Sequence, residues 1–82
     1  MKGEIVERVV EYIAKEIVEN ADEVEVTIVE EGPDEVIAEV RAAKSDMGRV
    51  IGRRGRVAKA IRIVAQAAAD EEGLQTDVEF ID

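Results

Sequence analysis

The apolar residues of this chain switch between two spacings, and that change of period is what most restricts the fold. In residues 4–19, Ile5, Val9, Ile13 and Ile17 recur four apart, with Val6 and Val10 widening the stripe and glutamates on the other face. This spacing predicts an amphipathic helix, with Asn20 as a left-handed stop. From Glu23 to Val29 the period falls to two, with Val24, Val26 and Ile28 on one side, and Glu35 to Ala42 repeats it with Val36, Ala38 and Val40. These are two strands with one buried face each, joined through Glu31-Gly32-Pro33-Asp34 as a hairpin. Ser45 or Asp46 is placed to cap a short helical turn over Met47–Ile51. After Gly52-Arg53-Arg54-Gly55 a longer, alanine-rich helix runs from about Arg56 to Glu72, with Gly73 at its C-terminal end. Val57, Ile61, Val64 and Ala68 form its apolar direction, and Ile63 falls among basic positions. The chain closes on a third strand, Thr76–Ile81, with Val78 and Phe80 on one face.

The order is therefore α-β-β-α-α-β. Two helices between the second and third strands suit a crossover and a parallel pairing, whereas the hairpin pairing is antiparallel. The expected class is α+β: a three-stranded mixed sheet with three helices on one face. At 82 residues the chain has room for one domain, taken as residues 1–82. It contains no Cys and no His, which removes disulfides, thiol chemistry, imidazole catalysis and the common zinc sites. No apolar run approaches the length of a membrane span, and Met1-Lys2-Gly3-Glu4 does not resemble a signal peptide. A cytoplasmic protein is the expectation, with no membrane contact.

The net charge of −9 is unfavourable to nucleic acid, but it hides an asymmetry. Residues 1–40 carry thirteen acidic side chains against three basic ones, and residues 63–82 carry six acids and no base. Residues 41–62 carry eight basic side chains against the single Asp46. A basic island sits in an acidic body, and a local patch speaks for one site where net charge does not.

Within the island lies Gly52-Arg53-Arg54-Gly55. Two glycines three apart permit a tight turn and leave no Cβ to hold a ligand backbone away. The following helix offers unpaired N–H groups and the positive end of its dipole. Arg53 and Arg54 add donors matched to phosphate oxygens, and Arg56 and Lys59 extend the charge along the helix, with Arg62 a weaker candidate. Arg49 flanks the motif on its N-terminal side. In this order the features form a clamp for a phosphate backbone. Each has a blander reading: a plain turn, a solvated basic face, and, for Val50 and Ile51, core packing.

The run Val50-Ile51-Gly52-Arg53-Arg54-Gly55-Arg56-Val57-Ala58-Lys59-Ala60-Ile61-Arg62 closely resembles the V-I-G-x-x-G signature and following helix of KH domains. The element order resembles their type II, bacterial arrangement, over essentially the whole chain. A free-standing domain of this length ending in Glu79-Phe80-Ile81-Asp82 resembles the small bacterial RNA-binding proteins of the KhpA (YlqC) family. The resemblance implies that Gly52, Arg53, Arg54 and Gly55 contact the backbone of about four unpaired nucleotides of single-stranded RNA. It implies an apolar base groove walled by Val50, Ile51 and the helix start around Ala58. The opposite wall would be the strand Val36 to Ala42, with Arg41 at its end. It also implies an RNA chaperone or post-transcriptional regulator acting as a homodimer, or as a heterodimer with another KH-containing protein.

Two other classes stand beside that reading. One is a protein-interaction adaptor with secondary RNA binding, docking through the acidic face or Ile63. The other is a helix-hairpin-helix-like DNA backbone binder, whose glycines normally flank one apolar residue where here two arginines intervene. Catalysis is not expected, because no nucleophile is paired with a base and no Walker-type motif is present. No cofactor and no small-molecule substrate are expected.

Overall fold

A computed structural model describes residues 2–81; Met1 and Asp82, at the ends of the expected domain, lie outside the described residues. Helix α1 spans Glu4–Ile17, strands β1 and β2 span Glu25–Gly32 and Glu35–Arg41, α2 spans Met47–Ile51, α3 Arg56–Glu71 and β3 Gln75–Ile81. The sheet order is β1-β2-β3. β1 runs antiparallel to β2, with Val26 opposite Val40 and Ile28 opposite Ala38. β2 runs parallel to β3, with Ala38 opposite Val78 and Val40 opposite Phe80. The α+β class, the mixed sheet and its two pairing senses are as the change of period predicts.

The period of two puts Val26, Val36, Ala38, Val40 and Val78 on one sheet face, where they meet Val6, Val10 and Ala14 of α1 and Ile61, Ala65, Ala68 and Ala69 of α3 in one core. The other face presents Glu25, Thr27, Glu35, Glu39, Arg41, Asp77 and Glu79 in register. The helices thus occupy one side, and the other carries five carboxylates around the apolar pair Val29 and Ile37.

Local details depart from the sequence expectation. α1 leaves its helix at an extended Val18, and Asn20 is not left-handed, with φ −107°. The backbone amides of Glu19 and Asn20 are instead drawn toward Asp46. A 3₁₀ turn at Ala21–Glu23 delays β1, which then continues to Gly32 through a bulge and leaves Pro33 and Asp34 as the turn. Asp46 precedes α2 but makes no capping bond to it. On α3 the buried face is Ala58, Ile61, Ala65, Ala68 and Ala69, not the face centred on the valines: Val57 is half-buried and Val64 is 41% exposed. Close approach of α3 to α1 and the sheet selects small side chains around Ile61 for the seam and leaves Val57 and Val64 at its rim.

Candidate nucleic-acid interface

The loop between α2 and α3 takes its shape from backbone chemistry. Gly52 has φ 77° and ψ 169°, a conformation essentially reserved for glycine. A Cβ on Gly52 would lie 2.8 Å from the Val57 Cβ and 2.9 Å from its backbone nitrogen. Arg54 and Gly55 follow in the left-handed region, with φ 57° and 72°, and Arg56 enters the helix. The Gly52 amide donates to the Gly48 carbonyl at 2.9 Å and the Gly55 amide to the Gly52 carbonyl at 3.0 Å. Such left-handed turns gather backbone N–H groups into a concave, anion-seeking surface.

Immediately after the loop comes the N-terminus of a 16-residue helix with no side-chain cap and no acid in its first turn. The Arg56 N–H bonds back to the Arg53 carbonyl, and the later N–H groups of the first turn and the positive pole of the dipole face a ligand. The side chains of Arg53, Arg54, Arg56 and Lys59 are exposed around it and make no ion pair or hydrogen bond among the described residues. Four cations without internal counter-ions beside a free helix N-terminus form a site prepared for negatively charged oxygen. Ile51, 40% exposed, and the half-buried Val57 supply an apolar flank.

The other sequence candidates are placed differently. Val50 is fully buried and Ala58 nearly so, so they support the loop from beneath. Arg49 turns away, pairing through Nη2 with Glu19 and lying 3.9 Å from Asp46. Arg62 donates through Nε to the Val78 carbonyl, pairs with Asp77 and lies over the Phe80 ring. Arg41 alternates with the buried Val40, so it shares the carboxylate-bearing sheet face and is not brought to the loop. Asp46, only 2% exposed, is the buried charge of the region. Its two oxygens accept from the Glu19 and Asn20 backbone N–H groups and from the Asn20 side-chain amide, at 3.0–3.1 Å. Burial alone pushes its pKa up. The Asn20 side chain, the two backbone N–H groups and the Arg49 charge outweigh burial and hold it below the ordinary carboxylate range. The sequence marks Asp46 as a cap candidate and as the lone acid among eight bases, but not as the partner of Glu19 and Asn20.

With that geometry in place, comparison with known proteins decides the family. The family described as KhpA/KhpB, KH domain, matches residues 7–80. The chain belongs to this KH-domain family. Among its relatives, RNA-binding protein KhpA of Clostridium acetobutylicum is 47% identical over 74 residues, covering 90% of this chain and 97% of the relative. RNA-binding protein KhpA of Borreliella burgdorferi is 40% identical over 73 residues, covering 89% of this chain and 88% of the relative. The Aquifex aeolicus protein of that name is 38% identical over 74 residues, covering 90% and 92%. No solved structure matches the chain. The family that matches is a KH-domain family and not a helix-hairpin-helix one. Among the described residues no helix is long and apolar enough to cross a membrane, and no group of three or more His, Cys, Asp or Glu could hold a metal ion.

Proposed function

We propose that this protein binds single-stranded RNA, with the Gly52–Gly55 loop clamping the sugar–phosphate backbone of a short segment. The observation that carries the reading is the set of four exposed cations without internal partners, grouped on a glycine-shaped loop at an uncapped helix N-terminus. Phosphate oxygens take N–H donors from the loop and the first turn of α3 and charge-assisted bonds from Arg53, Arg54, Arg56 and Lys59. The absence of a Cβ at Gly52 lets the backbone turn sharply against Val57. Ile51 and Val57 give unstacked bases an apolar surface. Double-stranded RNA offers no such splayed bases.

The relatives that carry the name RNA-binding protein KhpA support the same class of ligand. The chain acts in this reading as an RNA chaperone or post-transcriptional regulator in the cytoplasm, without catalysis. One loop gives one short footprint and no aromatic platform, since Tyr12 lies on α1 and Phe80 on β3. A second RNA-binding unit, from another copy or another KH-containing protein, then raises avidity by roughly 10²–10⁴. The α3 surface around Ile63, 63% exposed, supports such an association.

The deciding experiment reverses two charges. Arg53→Asp with Arg54→Asp removes two charge-assisted contacts, each worth about 1.5–3 kcal/mol, so affinity for a short unstructured RNA falls by about 100-fold or more. The far-UV circular dichroism stays that of the parent, because both side chains are exposed. Unchanged affinity in a folded double variant rejects the clamp.

A further inference from the structure

α2 is the least self-sufficient element of the fold. Its five residues make less than two turns, far below the length at which a helix stands alone. Its buried side chains, Met47 and Val50, lie outside the main core cluster that joins α1, the sheet and α3. Yet α2 carries Ile51 and delivers the chain to Gly52, so its position sets the loop. The polar group that holds it is the carboxylate of Asp46. Both oxygens are engaged by the segment leaving α1, through Glu19 N–H, Asn20 N–H and the Asn20 side-chain amide. Arg49, one turn along α2, closes the knot from the other side, bonded to Glu19 and facing Asp46. A buried charge is costly unless its partners are complete, and among the described residues no buried side-chain polar atom lacks one. Removing one member therefore opens this junction while leaving the main core untouched.

We propose that Asp46, with Asn20 and Arg49, is a positioning tether: it docks α2 on the end of α1 and so presents the Gly52–Gly55 loop, without touching RNA. The proposal rests on the reading of that loop as an RNA clamp. It assigns Arg49 to the tether and not to a phosphate.

Three readouts on the full chain test it, with a short unstructured oligouridine as the probe. Asp46→Asn keeps the shape but turns an acceptor oxygen into a donor that faces other donors. Its native-state hydrogen exchange loses protection at the Gly52 amide, bonded to Gly48, and keeps that of the Ile61–Ala69 amides. If α2 is then docked about a tenth of the time, apparent affinity falls about tenfold. The slope of log affinity against log salt stays that of the parent, as it does for Arg49→Gln, because no phosphate contact is lost. Asn20→Ala, which deletes one bond of the three, gives the same pattern at about threefold. Exchange loss at Gly52 with parental affinity overturns the proposal. A salt slope shallower by about 0.7 in either the Asp46 or the Arg49 variant overturns it too, since that is the signature of one lost phosphate on a single strand. Protection lost equally along α3 overturns it by making Asp46 a determinant of the whole fold. Arg53→Asp/Arg54→Asp, measured alongside, separates the two readings: if that variant binds normally the clamp fails, and if it fails to bind while Asp46→Asn and Asn20→Ala bind normally only the tether fails.

Discussion

Gly52 and Gly55 bracket the same turn but are held by different forces. Gly55 sits at φ 72° in the left-handed basin with open space where a Cβ would go. Alanine there meets backbone strain alone, about 1 kcal/mol. At Gly52 the conformation is a glycine one and the Cβ would press on Val57, so strain and overpacking add. Gly52→Ala is expected to cost at least about 1 kcal/mol more than Gly55→Ala in urea unfolding, and the reverse order would contradict the loop geometry. Arg54, a left-handed residue that is not glycine, stores strain in the same place.

Elements are joined by side chains that reach across sequence. The N-terminus of α1 has no local cap, and Glu72, just past α3, serves instead: its carboxylate accepts from the Gly3, Ile5 and Val6 amides at 3.0, 3.1 and 3.5 Å. Removing a capping side chain costs about 1 kcal/mol. Glu72→Ala should therefore lower the Tm by about 4–8 °C in a domain of this size, and calorimetry on parent and variant checks it. The outer edge of β3 is closed in a similar way. Gln66 bonds both the Thr76 amide and the Leu74 carbonyl, and Arg62 bonds the Val78 carbonyl. Those bonds satisfy groups that another strand would otherwise pair with, and they explain why Arg62 is not part of the basic site despite its place on α3.

Over the whole molecule, charge is sorted by face. The open side of the sheet carries Glu25, Glu35, Glu39, Asp77 and Glu79, with Glu39 directly opposite Glu79. Four unpaired cations, Arg53, Arg54, Arg56 and Lys59, gather at the α2–α3 junction on the helical layer, while Arg8 stands apart on α1 and Arg41 on the sheet. About three or four phosphates are within reach of such a patch, so the single-strand salt slope should lie near −2 to −3. Titrations across a salt series check this, with a slope near −8 or a preference for duplex DNA as the contrary result.

Alternation and helical spacing determined the element order and the buried sheet face, because each follows from local geometry repeated along the chain, and the pairing senses followed from that order, since a hairpin pairs antiparallel and a helical crossover parallel. The glycine-arginine loop and its basic flank were legible for a similar reason, since turn, donors and helix start are contiguous from Gly52 to Lys59. What depended on close approach was not legible. Hydrophobicity favoured Val57 and Val64 for the α3 seam, while packing distance chose Ala58, Ala65 and Ala69. Arg41 belonged to a basic run in sequence, but strand pleating turned it to the acidic face. Asp46 had the form of a helix cap, yet its partners lie 26 and 27 residues earlier, at Asn20 and Glu19. Only the tertiary fold brings those groups together, because a hydrogen bond is decided by distance in space and not by distance along the chain.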